Sequence, residues 1–214
     1  MKIENKQIKI KDLVGKKGFL NDGDWVESKD QDAKGTIRLI QLADIGDGIF
    51  KNKSKRFMNE DKFIKLNCTE LKKGDILIAR MPDPLGRACI FPGLENKSAT
   101  VVDVAVLRVD NDIADNRFVM YMINTPNFRN AINNNITGTT RKRISKKNLS
   151  NLQIPLPSLL TQKEIVKELD RANLFLQKRK ESIKLLDEYL KSVFFDMFGN
   201  PIVNNKNLPI IKLE

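Results

Sequence analysis

Residues 154–164 read IPLPSLLTQKE, and this stretch divides the chain into two kinds of sequence. Pro155 and Pro157 hold the backbone extended, because each fixes its own φ and biases the preceding residue away from helix. Thr161 and Glu164 then fit the S/T-x-x-E capping box, with Thr161 as N-cap and Glu164 at N3. Leu160 before the cap and Ile165 after it fit a hydrophobic staple. From there residues 162–198 carry an unbroken helical pattern, about 55 Å long at roughly 1.5 Å per residue. Gly199 is placed to end it in a left-handed turn, and Pro201 forbids its continuation.

The helix has an apolar seam. One row is Leu169, Leu176, Ile183, Leu190 and Met197; the other is Ile165, Ala172, Arg179, Leu186 and Val193. Only Arg179 is polar, and the seven-residue spacing predicts a coiled coil in which that arginine sets register or orientation. Further apolar residues lie off the seam at Phe175, Tyr189, Phe194, Phe195 and Phe198, which predicts a second contact surface near the helix C-terminus.

Charge is distributed unevenly. The net charge of the 214 residues is +11. Residues 162–198 hold eight Lys/Arg against seven Asp/Glu, and the tail 199–214 adds one positive charge, so about +9 falls on residues 1–161. From 116 to 163 there is no acidic residue, and Arg141, Lys142, Arg143, Lys146 and Lys147 crowd into TGTTRKRISKKNL, residues 137–149. A basic stripe interleaved with Thr, Ser and Asn suits phosphate contacts and counterion release.

Other classes are disfavoured by what is scarce. The chain has no histidine, which removes Ser-His-Asp and Cys-His schemes and the commonest metal ligand. Two cysteines, Cys68 and Cys89, are too few for a zinc site and read as buried thiols of a cytoplasmic protein. No stretch is long and apolar enough to span a bilayer, and the polar start MKIENKQIKIKD is unlike a signal peptide. A 41% hydrophobic content supports one core.

The part before the junction reads as α+β. Residues 36–41, 75–80, 87–91 and 100–109 are strand-like in length and apolar content. Residues 115–124 and 127–135 are helical, divided at Pro126. Residues 21–35 form an acidic, glycine-containing surface loop, and MPDPLG, residues 81–86, connects two strands. The expected organisation is a globular head over 1–160, a long helix over 161–199 and a short tail over 200–214.

Together these features resemble the specificity (S) subunits of Type I restriction–modification systems. The most specific segment is GTTRKRISKKNLSNLQIPLPSLLTQKEIVKELD, residues 138–170, which is similar to the end of a target recognition domain entering the family's long helix. RKESIKLLDEYLKSVFFDMFGNP, residues 179–201, is similar to the second half of that helix, and GTIRLIQLADIGDG and LKKGDILIAR resemble segments of the recognition domain. Typical members hold two recognition domains and two helices, whereas this sequence holds one of each. Its tail NPIVNNKNLPIIKLE resembles the opening of a second recognition domain, with PIIKL echoing QIKIKDL near the start. The expectation is therefore a half-length subunit.

The resemblance implies a non-catalytic protein. Each head would read half of a bipartite site in double-stranded DNA. Antiparallel pairing of two helices would form a homodimer and set the spacing between half-sites. The helices would also dock the modification (methyltransferase) subunits and the restriction subunit. The chain itself would bind no cofactor; S-adenosylmethionine, ATP and Mg would belong to those partners. On chemistry alone the DNA-contacting candidates are Thr139, Thr140, Arg141, Lys142, Arg143 and Lys146, then Arg80 and Arg87 flanking MPDPLG. Two alternatives remain open at this point. One is a free-standing dimeric DNA-binding regulator. The other is a nuclease, since Pro82-Asp83 followed by Glu95-Asn96-Lys97 fits a loose PD…(D/E)xK pattern.

Overall fold

The computed structural model describes residues 6–82, 84–138, 142–200 and 202–209. In chain order the elements are β1 (Lys6–Lys9), β2 (Phe19–Asn21), β3 (Ile37–Ile40), β4 (Arg56–Met58), α1 (Glu60–Lys65), β5 (Ile76–Ala79), β6 (Ala88–Ile90), β7 (Ser98–Thr100) and β8 (Val104–Arg108). There follow α2 (Asn116–Ile123), α3 (Pro126–Asn133), β9 (Ile136–Thr137), β10 (Arg143–Ile144), α4 (Lys146–Asn151), β11 (Gln153–Leu156) and α5 (Leu159–Phe198). The α+β class expected from the sequence is the observed one. The chain divides into a compact unit through Val166 and a second unit from Lys167 onward.

A four-stranded antiparallel sheet, ordered β2-β8-β5-β6, organises the first unit. Its central strands carry the unbroken apolar runs ILIA and VAVL because both faces are covered. The pleat sends Ile76, Ile78, Ala105 and Leu107 to one face, where Phe118, Val119 and Ile123 of α2 and Phe128 and Ile132 of α3 cover them. The alternate residues Leu77, Ala79, Val104 and Val106 meet Ile40, Ile45, Leu71 and Phe91 on the other face. A second sheet, β4-β3-β7, pairs β3 antiparallel with β4 and parallel with β7, and packs Leu39 and Met58 on Phe63 of α1.

The single strand expected over 100–109 is two strands in different sheets. The chain turns at residues 101–103, where Val104 N–H donates to Val101 O. Arg80 takes up the carbonyls that this turn leaves over, through its backbone N–H to Asp103 O (2.9 Å) and its Nη1 to Val102 O (3.2 Å). The two cysteines are buried thiols, and burial pushes both up to about 12.

The start of α5 also differs in detail. The capping side chain is Ser158, whose Oγ accepts from Thr161 N–H at 3.2 Å, so the helix begins at Leu159 rather than after Thr161. The expected staple does not form, since Leu160 is 70% exposed. A different lock holds this end. Gln162 is fully buried, its Oε1 accepting from Asp115 N–H and its Nε2 donating to Pro157 O, both at 2.8 Å. Val166 and Ile165 join the main core. The first two turns of α5 are therefore head structure, and the compact unit continues past residue 160. At the other end Gly199 adopts φ +71° and donates to Phe195 O, the expected left-handed stop. Of the strand-like PIIKL, residues 210–213 lie outside the described residues, as does Pro201.

Candidate nucleic-acid interface

The basic stripe is carried on a short hairpin and the helix after it. Arg143 of β10 pairs with Thr137 of β9, and Ile144 with Ile136. Ile144 is fully buried and anchors the hairpin in the main core, while Arg143 and Lys142 are exposed. Ser145 caps α4 by accepting from Asn148 N–H at 3.1 Å, and Lys146 and Lys147 stand exposed in the first turn. Cations at a helix N-terminus oppose the helix dipole, so folding alone gives no reason to put them there. Thr139, Thr140 and Arg141 lie outside the described residues.

Arg80 and Arg87 are placed differently from the other candidates. Arg80 is 4% exposed. Its Nε donates to Ile144 O at 3.0 Å, and its backbone O accepts from Ile144 N–H at 3.2 Å. Nη1 lies 2.7 Å from Asp22 Oδ1, an ion pair held by charge and proximity rather than by an aligned hydrogen bond. One guanidinium thus ties together the hairpin, the turn at 101–103 and the loop after β2. Arg87 is 7% exposed and donates to Ile45 O, Pro84 O and Leu42 O at 2.8–2.9 Å. It fixes the loop 81–86 against the turn after β3. A guanidinium so engaged would have to give up these bonds to reach a base, so both arginines position the loops of this face.

The loops they hold form a concave surface. A groove of about 400 Å³ runs between Pro82, Pro84 and Leu85 of the β5–β6 loop, Arg129 and Asn133 of α3, and Ile136 and Lys142 of the hairpin. A smaller depression of about 190 Å³ lies among Trp25, Met81, Val102, Asp103 and Arg143. Trp25 was not among the residues singled out in the sequence. The signal was present: a lone large aromatic in the polar run DGDWVESKD has little beside it to bury against. Next to it, burial raises the Asp24 carboxyl to about 6, even though Thr69 N–H donates to it at 2.9 Å.

Of the nuclease-like pattern, the lysine is engaged elsewhere. Lys97 donates to Glu60 at 2.8 Å and sits over the Phe63 ring at 4.0 Å. Asp83 lies outside the described residues. Among the described residues no group of three or more Asp, Glu or Cys is placed to hold a metal, and no helix is long and apolar enough to cross a membrane.

Along α5 the apolar seam is uncovered. Leu176, Ile183, Leu186, Leu190 and Met197 are each 58–64% exposed, Leu169 is 38% exposed, and Ala172 and Arg179 are exposed as well. Only Ile165 at the start and Val193 near the end are partly covered. Off the seam, Phe194 packs on Phe195 and Phe198 within the helix, with ring centroids 6.0 and 5.1 Å apart, yet all three stay about half exposed.

Comparison with known proteins gives a consistent answer. Residues 2–185 match the model of the Type I restriction modification DNA specificity domain. The chain is 25% identical over 175 residues to the Type I restriction enzyme MjaVIII specificity subunit of Methanocaldococcus jannaschii, covering 80% of this chain and 41% of that one. It is 29% identical over 109 residues to the EcoAI specificity subunit of Escherichia coli, covering 49% and 18%. It therefore spans less than half the length of these relatives. In fold it is similar to the HsdS subunit from Thermoanaerobacter tengcongensis, with TM-score 0.60 and 19% identity, covering 83% of this chain and 39% of that one. The S subunit from M. genitalium superposes with TM-score 0.58 and 16% identity, covering 96% and 49%. With the family model matched over most of its length and an α+β head leading into a long helix, the chain belongs to the Type I restriction–modification specificity subunits, a non-catalytic family.

Proposed function

We propose that the head reads one half of a bipartite site in double-stranded DNA, and that two copies pair through antiparallel α5 helices to present two heads in inverted orientation. The observation that carries this reading is the uncovered seam. A row of Leu, Ile and Met more than half exposed along one helix is an unsatisfied apolar surface. A second copy supplies the complementary row at the matching spacing. On the head, Lys142, Arg143, Lys146 and Lys147 would neutralise phosphates, and the loops fixed by Arg80 and Arg87 would bring side chains to base edges.

The subunit would carry no chemistry itself. It would bring modification subunits, which use S-adenosylmethionine to methylate adenine N6, and a restriction subunit dependent on ATP and Mg to the site it reads. The aromatic cluster near the end of α5 is a candidate docking surface for them.

Sequencing of modified bases in DNA from cells with and without this gene, alongside its cognate modification subunit, tests the reading. The expected result is gene-dependent N6-methyladenine at a bipartite palindrome. An asymmetric bipartite motif would reject the homodimer and leave the specificity role intact. Methylation that does not depend on the gene would reject the role itself and favour a free-standing DNA-binding protein.

A further inference from the structure

Trp25 is the only tryptophan of the chain, and its side chain is 68% exposed in the loop between β2 and β3. The backbone beneath it is held on every side. Asp24 N–H donates to Thr100 O at 3.0 Å, Asp24 bridges Val101 in parallel, and its carboxylate accepts from Thr69 N–H. A Cβ at Gly23 would fall 1.9 Å from Val101 O, so only glycine allows the loop to lie this close to the sheet. The chain is pinned while the ring is left out in water. The ring borders two depressions, one shared with Met81, Asp103 and Arg143 and the other with Lys62 and Lys65.

A fixed backbone under an open indole costs apolar exposure and contributes little packing to the head, but it does preorganise a contact. Its neighbours indicate what the contact is. Arg143 on the hairpin side and Lys29, Lys62 and Lys65 on the other supply positive charge at the edges, with Lys62 paired to Asp30 and Lys29 to Glu27. Carboxylates lie beside the ring as well: Glu27 accepts from the indole Nε1–H at 3.2 Å, and Asp103 lines the smaller depression. Carboxylates there repel a phosphate, and they can accept from the exocyclic amine of a base.

We propose that Trp25 is a specificity-determining residue that contacts a base of the bound duplex through its ring, while the flanking cations hold the backbone. This rests on the reading of the head as a DNA-recognition domain, and the two can fail separately. The probe is a duplex pool with a randomised centre, enriched on the unaltered full chain, with the winning duplex used for all variants. Trp25→Ala should weaken binding about 10- to 100-fold, the range for losing the contact at one base pair of a duplex site, with the slope of log affinity against log salt unchanged. Trp25→Phe should recover most of the loss. The intrinsic fluorescence of Trp25, a single-site signal in this chain, should be quenched by the duplex. Lys142→Ala with Arg143→Ala should instead flatten the salt slope.

Because Trp25 is a surface residue, its variants should melt with the unaltered protein, which separates contact from folding. If Trp25→Ala binds normally and the fluorescence does not move while the basic pair still flattens the slope, the proposal is wrong and the DNA reading stands. A slope that falls in Trp25→Ala also overturns it, since the ring would then be acting through its charged neighbours. If no duplex is enriched, both fall together.

Discussion

Leu77 and Leu176 are the same side chain in two different situations. Leu77 lies in a central strand with no exposed surface, between two layers that its own chain provides. Leu176 lies on α5 with 58% of its surface exposed. The contrast holds regionally. Three clusters bury the apolar residues of the head, whereas from Leu169 on the large apolar residues of α5 are at best partly covered. A leucine moved from water to a packed interior contributes about 1.5–3 kcal/mol. The head takes up that energy by folding, whereas along the helix the same side chains leave it unrealised within the chain. The difference sets a packed core against an uncovered apolar seam.

The largest expected effect breaks the helix side of the comparison. Leu176→Glu with Ile183→Glu puts four carboxylates into a paired seam. Self-association should weaken by about 1,000-fold, equivalent to about 4 kcal/mol. Sedimentation over a concentration series reads this directly, and the melting of the head in the same variant should not change. An unaltered chain that stays monomeric at high concentration, or a variant that associates as well as its parent, would show that the seam serves something other than a second copy.

The next effect breaks the head side. Arg80→Met removes hydrogen bonds to Ile144 O and Val102 O and the partner of Asp22, leaving buried acceptors unmet. The expected loss is about 2–4 kcal/mol in denaturant unfolding. Amide exchange should rise first in β9, β10 and the turn at 101–103. Self-association through α5 should persist wherever the variant is folded. Uniform exchange across the head would mean that Arg80 stabilises the fold without organising these loops.

The two regions were also unequally legible in the sequence. The helix was readable because its periodicity is local: Leu169, Leu176, Ile183 and Leu190 announce their shared face by spacing alone. The strands ILIA and VAVLR were readable as short apolar runs, which are also a local signal. What escaped depends on contacts distant in sequence. Nothing near Arg80 indicates that its guanidinium is spent on carbonyls at 102 and 144, and the motif beside it suggested a DNA contact instead. The cap at α5 was shifted because Ser158 and Thr161 are both competent caps, and the choice fell to the one that leaves Gln162 facing Asp115. Trp25 escaped although the polarity of its loop signalled an aromatic with little to bury against, because exposure itself is a property of the fold.

The smallest effect sharpens the comparison by finding a cost inside the head. Asp24 is half-buried beside Cys68 and Thr69, and burial raises its carboxyl from 3.8 to about 6. A carboxyl with a raised folded pKa binds its proton more tightly folded than unfolded. Its contribution is therefore fully present below about pH 4 and is lost as pH rises through about 6. The neighbouring thiol, pushed up to about 12, stays neutral throughout. Asp24→Asn keeps an acceptor for Thr69 N–H and removes the ionisation. The full shift would correspond to about 3 kcal/mol, and solvent access at this site reduces the expectation to on the order of 1 kcal/mol. The variant should thus gain stability relative to its parent between pH 4 and pH 7, by that amount and in that direction. Other carboxylates titrate equally in both proteins and cancel in the difference. Equal differences at the two pH values would mean that Asp24 is solvated well enough to ionise without cost.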